Sequence, residues 1–198
     1  MGNLKWLPDK IDLKNYPTTN DLINHLYTIF EKDFKDEINP IRFNNQNVVF
    51  AKLRLHDRCS ELADRNKTCN NTEYNCSNCP YIDKEDIFNH ITCSELSKDI
   101  RTPGIYEPER AIRLPWIRPI IENCNNAHSS IKYYETIVDG QLRKCFWLNS
   151  EKYLVILTEG HNKNLYLTSA YYLYSRKRSD RVMKNYKAYC NKIKKNVK

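Results

Sequence analysis

A cysteine-rich window contains the side chains best suited to hold a metal ion. Cys76 and Cys79 form a Cys-x-x-Cys knuckle, a spacing that fits two ligands of a tetrahedral zinc site. The other two predicted ligands are Cys59 and Cys69, and His56 or Cys93 could replace either of them. A structural zinc ion is therefore expected. The sequence has no second knuckle, so free thiols and disulfides stay open as alternatives.

Two arginines downstream could bind an anion. Arg110 and Arg113 are three positions apart and share one face if the segment is helical. A pair of guanidinium groups on one face predicts a clamp for a phosphate. The alternative is purely structural, with both arginines in ion pairs with Glu107 and Glu109.

His90 is the histidine whose surroundings favour a functional role. It lies between Phe88 and Ile91 in a short alternation of apolar and polar residues. That alternation predicts a strand edge that faces a groove. A structural histidine is the alternative.

The C-terminal segment carries most of the charge. The 198-residue chain has a net charge of +8, and residues 176–198 contain ten Lys or Arg against one Asp. This excess predicts a surface for a polyanion, RNA or DNA above all, although a solubilising helix has the same composition. The predicted nucleic-acid-binding residues are Arg176, Lys177, Arg178, Lys184 and Lys192.

A sheet must position these groups. Residues 131–174 contain four runs rich in Val, Ile, Thr, Tyr and Trp, separated by three turns, the strongest of them at Asp139-Gly140. This pattern predicts four consecutive antiparallel strands joined by hairpins. The third run, residues 153–158, is almost wholly apolar and predicts a central strand covered on both faces.

Helices are expected on either side of this sheet. The predicted helices cover residues 21–34, opened by a cap at Thr18-Thr19-Asn20, residues 108–122, as one helix or two, and a final helix capped by Asp180. Residues 41–55 predict one or two further strands around a turn at residues 44–47. The expected fold is α+β: helices followed by an antiparallel sheet of at least four strands.

Several functional classes are disfavoured. The chain has no Gly-rich phosphate loop, no Ser-His-Asp pattern and no paired-carboxylate motif, which disfavours nucleotide-dependent enzymes, elbow hydrolases and glycosidases. No run approaches the ~20 apolar residues that span a bilayer, and the first ten residues lack the apolar core of a signal peptide. We therefore expect a cytoplasmic protein with no membrane partner.

Three stretches together resemble the phage-associated nuclease-like domains of the barnase, EndoU, colicin and RelE superfamily. They are residues 88–92, Phe-Asn-His-Ile-Thr; residues 108–123, with the Glu-Arg-x-x-Arg pattern; and residues 153–157 with 165–172, which include Thr-Ser-Ala-Tyr. The resemblance implies helices followed by a four-stranded antiparallel sheet. It divides the chain into an N-terminal helical segment, residues 1–40, and a nuclease-like domain, residues 41–198. The Cys-rich insertion at about residues 56–83 departs from the family.

The resemblance also implies a metal-independent endoribonuclease, toxin-like or phage-encoded, in which the RNA 2′-hydroxyl attacks and a 2′,3′-cyclic phosphate remains. It needs no catalytic cofactor, and its partners would be RNA and an inhibitor or immunity protein. The implied roles are proton transfer for His90, stabilisation of the phosphate for Arg110 and Arg113, and orientation of the phosphate for Thr168, with Tyr171 as a weaker candidate. The alternatives are a non-catalytic nucleic-acid-binding module with a zinc knuckle and a phage structural or interaction protein.

Overall fold

The computed structural model describes residues 4–52, 83–93, 107–126, 130–160 and 163–196. The chain divides into two units. The first unit comprises Met1–Pro8, Pro40–Val49 and Trp116–Lys198, and the second comprises Asp9–Asn39 and Phe50–Pro115. The fold is α+β, as predicted, and the Cys-rich insertion lies outside the described residues.

A six-stranded sheet forms the first unit. Its strands are β1 (Arg42–Phe43), β2 (Gln46–Val49), β3 (Ile131–Val138), β4 (Gln141–Leu148), β5 (Tyr153–Glu159) and β6 (Leu165–Tyr172). Their order across the sheet is β1-β2-β6-β5-β4-β3. The four strands predicted between residues 131 and 174 are confirmed, and each pairs antiparallel with its neighbour in the chain.

The expectation of a purely antiparallel sheet was wrong for one pair of strands. Strand β2 pairs parallel to β6, with Val48 opposite Leu165. Hairpin signals specify only strands that follow each other in the chain, whereas this pair joins distant segments. Both Val48 and Leu165 are buried, so the pairing follows from the burial of apolar residues and not from a local turn.

Two of the predicted turns have the backbone that tight hairpins require. Asn44 and Asn45 join β1 to β2 with φ of 49° and 63°, and Asp139 and Gly140 join β3 to β4 with φ of 53° and 75°. Asn, Asp and Gly tolerate positive φ better than other residues. Positive φ at both central positions matches the twist of the strands and holds their register.

Strand β5 is central and covered on both faces, as predicted. Leu154 and Ile156 belong to an apolar cluster that includes Val182 of helix α5 (Arg176–Asn196). Their neighbour Tyr153 points the other way, where its ring meets that of Trp116 at 6.0 Å between centroids, and helix α4 (Ile117–Glu122) contacts β4 and β5. All of β5 except Glu159 is buried.

Helix α5 begins at Arg176, five residues before the start that a cap at Asp180 predicts. The hydroxyl oxygen of Ser175 accepts a hydrogen bond from the backbone N–H of Arg178 at 3.2 Å. Ser is a favoured residue at the N-terminus of a helix because it supplies such an acceptor. Asp180 instead lies in the second turn, where its carboxylate is 3.9 Å from the Nε of Arg176.

The second unit contains three α-helices among its described residues: α1 (Thr19–Phe34), α2 (Asp86–Thr92) and α3 (Pro108–Ala111). The predicted cap of α1 is confirmed, since the Thr18 hydroxyl accepts from the N–H of Asp21 at 3.1 Å. The helix predicted over residues 108–122 is divided into α3, a 3₁₀ turn at Leu114–Trp116 and α4. Pro115 removes a backbone donor there, which is why one continuous helix does not form.

Candidate functional site

His90 lies in helix α2 of the second unit, so the predicted strand edge was wrong. Ile87, Phe88 and Ile91 are all buried, and their spacing of one and four positions fits one face of a helix. The eight residues 86–93 were too few to distinguish a helical pattern from a strand-like alternation of apolar and polar residues. His90 itself is half-buried, whereas the other six residues of α2 are buried.

Arg110 connects α2 to α3. Its Nη1 donates to the backbone carbonyls of His90 at 3.0 Å and Cys93 at 2.9 Å. Its Nε lies 2.8 Å from a carboxylate oxygen of Glu107. The last carbonyls of a helix have no partner within the helix, and Arg110 supplies one, so its guanidinium group has a clear structural task.

Arg113 is also held by its own segment. Its side chain is buried, and Nη1 donates to the backbone carbonyl of Glu109 at 2.8 Å and pairs with the Glu109 carboxylate. Both arginines therefore form the ion pairs that the structural alternative named. A phosphate would have to compete with these carboxylates, and the clamp stays a prediction.

Thr168 lies in the first unit, at an irregularity of the sheet. Ile156 pairs with Ser169, whereas the next residue, Leu157, pairs with Leu167. Thr168 is thus the extra residue of a β-bulge, a feature that is frequent beside active sites. Its hydroxyl donates to the carbonyl of Ile156 at 3.1 Å and accepts from the Thr158 hydroxyl at 3.2 Å.

Tyr171 is on the same strand, three residues after Thr168. It pairs with Leu154 and packs against the apolar cluster that includes Tyr134 and Val182. The five predicted catalytic residues are thus distributed over both units. His90, Arg110 and Arg113 lie in the second unit, and Thr168 and Tyr171 lie in the first.

The predicted nucleic-acid-binding residues are all on α5 and all exposed. The helix contains nine Lys or Arg and one Asp. Val182 is buried and Tyr186 and Tyr189 are half-buried against the sheet, so the basic residues occupy the opposite, solvent-facing side. We call this side the basic face; it consists of Arg176, Lys177, Arg178, Arg181, Lys184, Lys187, Lys192, Lys194 and Lys195.

A row of polar residues across the sheet was not predicted. In register, Thr136 of β3 pairs with Arg143 of β4, and Arg143 pairs with Thr158 of β5. We call these three residues, with Thr168, the polar row. The available signal was an arginine, Arg143, in a strand that is mostly buried, but its partners could be recognised only once the register of three strands was known.

A second polar cluster lies on the other face of β4. Lys144 is buried and its Nζ lies 3.3 Å from Glu135 and 3.5 Å from Glu159. The hydroxyl of Tyr133 donates to the same Glu135 oxygen, and burial, reinforced by Glu135, raises the pKa of Tyr133. The charge of Lys144 is therefore compensated within the protein.

The four predicted zinc ligands, Cys59, Cys69, Cys76 and Cys79, lie outside the described residues, and zinc stays a prediction. Cys93 is buried, and its sulfur lies 3.7 Å from the hydroxyl oxygen of Thr92. Within the described ranges, no three His, Cys, Asp or Glu side chains form a group that could hold a metal ion. Burial raises the pKa of Cys124 to about 12 and that of Cys145 to about 11, so both are protonated at neutral pH.

Comparison with protein-family models, with curated proteins and with solved structures gives no match. Among the helices of the described residues, none is long and apolar enough to cross a bilayer.

Proposed function

We propose that this protein binds RNA through the basic face of α5. The observation that carries the proposal is the excess of Lys and Arg on a single helix, nine against one Asp, with all nine side chains exposed. A helix of 21 residues is roughly 30 Å long, so its charges can contact several consecutive phosphates. RNA is the polyanion favoured by the resemblance to nuclease-like domains.

Few carboxylates neutralise this face. Among the described residues, Asp180 is the one acidic group recorded within ion-pair distance of it, at 3.9 Å from Arg176, and both side chains are largely exposed. An exposed pair at this distance contributes little. The remaining cations keep their charge available for phosphates, and binding would release the counterions condensed on the RNA.

The first test is the salt dependence of RNA binding. Replacing Lys177, Lys184 and Lys192 together with Gln should weaken binding of a labelled oligoribonucleotide and lower the slope of log affinity against log salt. The expected change in slope is about 0.7 for each lost phosphate contact, or about 2 in total. Fluorescence anisotropy over a range of salt concentrations measures both quantities.

The matched control removes the same charge elsewhere. Lys14, Lys32 and Lys52 are exposed and lie outside α5, so their replacement with Gln should leave the slope close to that of the parent. If both triple variants bind equally weakly, net charge and not the basic face is responsible. A DNA oligonucleotide of the same sequence tests the preference for RNA.

We also propose that the bound RNA is cleaved without a metal ion, leaving a 2′,3′-cyclic phosphate. The observation that favours cleavage over binding alone is the position of Thr168 in a β-bulge beside Thr158. Incubation of the purified protein with RNA in excess EDTA, followed by analysis of the new ends, tests this proposal. Intact RNA under these conditions would leave a non-catalytic binding protein.

A further inference from the structure

We propose that the polar row of the first unit binds an RNA phosphodiester, with Arg143 as the cation and Thr158 and Thr168 as hydroxyl partners. This inference rests on the proposed binding of RNA and assigns it a second point of contact. It also places a cation in the same unit as Thr168, one strand beyond the Thr158 hydroxyl to which Thr168 is hydrogen-bonded.

The hydrogen-bonding state of Arg143 is the first support. Its Nε is buried and has no hydrogen-bond partner among the described residues. Its recorded ion pair places Nη2 at 3.9 Å from Asp139, a carboxylate that is 89% exposed. This distance is too long for a hydrogen bond. The difference from Arg110 and Arg113 lies in their Nη1 atoms, which donate to backbone carbonyls, and in their glutamate partners, which lie closer than Asp139 lies to Arg143.

The arrangement of the row is the second support. Thr136, Arg143 and Thr158 are register partners on three adjacent strands, so their side chains project from one face of the sheet. The row lies two residues further along each strand than Tyr134, Cys145 and Ile156, which form part of the apolar cluster beneath α5. It is therefore the first polar line of side chains beyond that cluster.

The hydroxyl groups complete the set of donors. Thr158 is buried, and its hydroxyl lies 3.2 Å from that of Thr168, slightly longer than the usual range for a hydrogen bond between two hydroxyl groups. Because a hydroxyl rotates freely, Thr158 can turn its proton towards a ligand while Thr168 continues to donate to Ile156. A phosphodiester presents two unesterified oxygens, which suit a guanidinium fork and a hydroxyl donor.

A cavity is lined by one residue of the row and one residue of the basic face. It has a volume of about 330 Å³ and lies between β3 and α5. Its lining includes Thr136, the register partner of Arg143, and Lys192 of the basic face. Glu135 also lines the cavity, whereas Arg143, Thr158 and Thr168 do not, so the cavity brings the basic face close to the Thr136 end of the row only. Lys144, the other cation of this part of β4, is already compensated by Glu135 and Glu159.

The test is a titration with inorganic phosphate, followed by proton–nitrogen correlation spectra of the full chain. The parent should show chemical-shift changes centred on β4, β5 and the bulge of β6. Arg143→Gln should bind phosphate about tenfold more weakly, because it loses a charged hydrogen-bonding partner. Arg143→Lys keeps the positive charge but lacks the forked guanidinium group, so its phosphate affinity should lie between those of the parent and of Arg143→Gln. Asp139→Asn removes the competing carboxylate and should bind at least as tightly as the parent.

The matched control is Arg42→Gln. Arg42 is exposed on β1 of the same unit, and its loss should leave phosphate affinity unchanged. Parent and Arg143→Gln proteins with equal affinity, or a parent without localised binding, would overturn the inference. A parent that binds phosphate through Arg143 but binds no RNA would instead overturn the proposed function and leave the phosphate site standing.

Discussion

Replacement of His90 with alanine is expected to slow RNA cleavage by a factor of about 10²–10⁴, the usual contribution of a positioned proton-transfer group. Imidazole is the side chain whose ordinary pKa lies closest to neutrality. The helix of His90 is tied to the chain downstream through Arg110, so the ring sits on a supported element. Single-turnover cleavage of a labelled RNA in excess EDTA measures the rate.

His25→Ala is the matched control. His25 is an exposed histidine of α1 in the same unit, and its loss should leave the rate unchanged. The His90 variant should also lose one limb of the pH–rate profile, an effect that a merely structural change would not produce. Equal rates and equal pH profiles for the parent and the His90 variant would show that another group transfers the proton.

Replacement of Phe30 with alanine is expected to lower the free energy of unfolding by about 3–5 kcal/mol, as for other large buried aromatic residues. Phe30 is fully buried. Its ring centroid lies 5.1 Å from that of Phe34, 5.2 Å from that of Phe50 and 5.5 Å from that of Phe88. Truncation would leave a cavity among three rings that cannot all move to fill it. Denaturation with urea, followed by circular dichroism, measures the loss.

The control for Phe30 is an apolar residue whose side chain is not buried. Ile38 is 98% exposed, and Ile38→Ala should change the free energy of unfolding by less than about 0.5 kcal/mol. A Phe30 variant as stable as the Ile38 variant would mean that the aromatic cluster of the second unit does not form in solution.

Local sequence signals predicted the elements that are determined by neighbouring residues. The hairpin turns at residues 44–45 and Asp139-Gly140, the cap at Thr18 and the burial of β5 all follow from residues within a few positions of one another. His90 shows the limit of this reasoning, since the eight residues 86–93 fit a helix and a strand about equally well. The correct choice depends on which residues the rest of the unit buries.

The sequence predicted the candidate site only where the argument needed no knowledge of the three-dimensional arrangement. The positive charge of α5 follows from its composition alone, and a basic helix needs no particular strand register to attract phosphates. Arg143 has no such local signature. Its pairing with Thr136 and Thr158 depends on the registers of two strand pairs, and its lack of a close carboxylate becomes apparent only in three dimensions. Conversely, Arg110 and Arg113 fit a phosphate clamp in sequence, yet each has a glutamate partner in the folded chain.

The parallel pairing of β2 with β6 has a consequence for the order of folding. Val48 meets Leu165 across the sheet, whereas β3 and β4 meet through a two-residue turn. Closing a loop of more than a hundred residues costs about 4 kcal/mol in the length-dependent part of the chain entropy, and such distant contacts slow folding. Strands β3 to β6 follow one another in the chain and pair in that order, so these hairpins can form first, one after another. The short pair β1 and β2 would then join an existing edge last, and its amide hydrogens would be the first of the sheet to exchange with solvent.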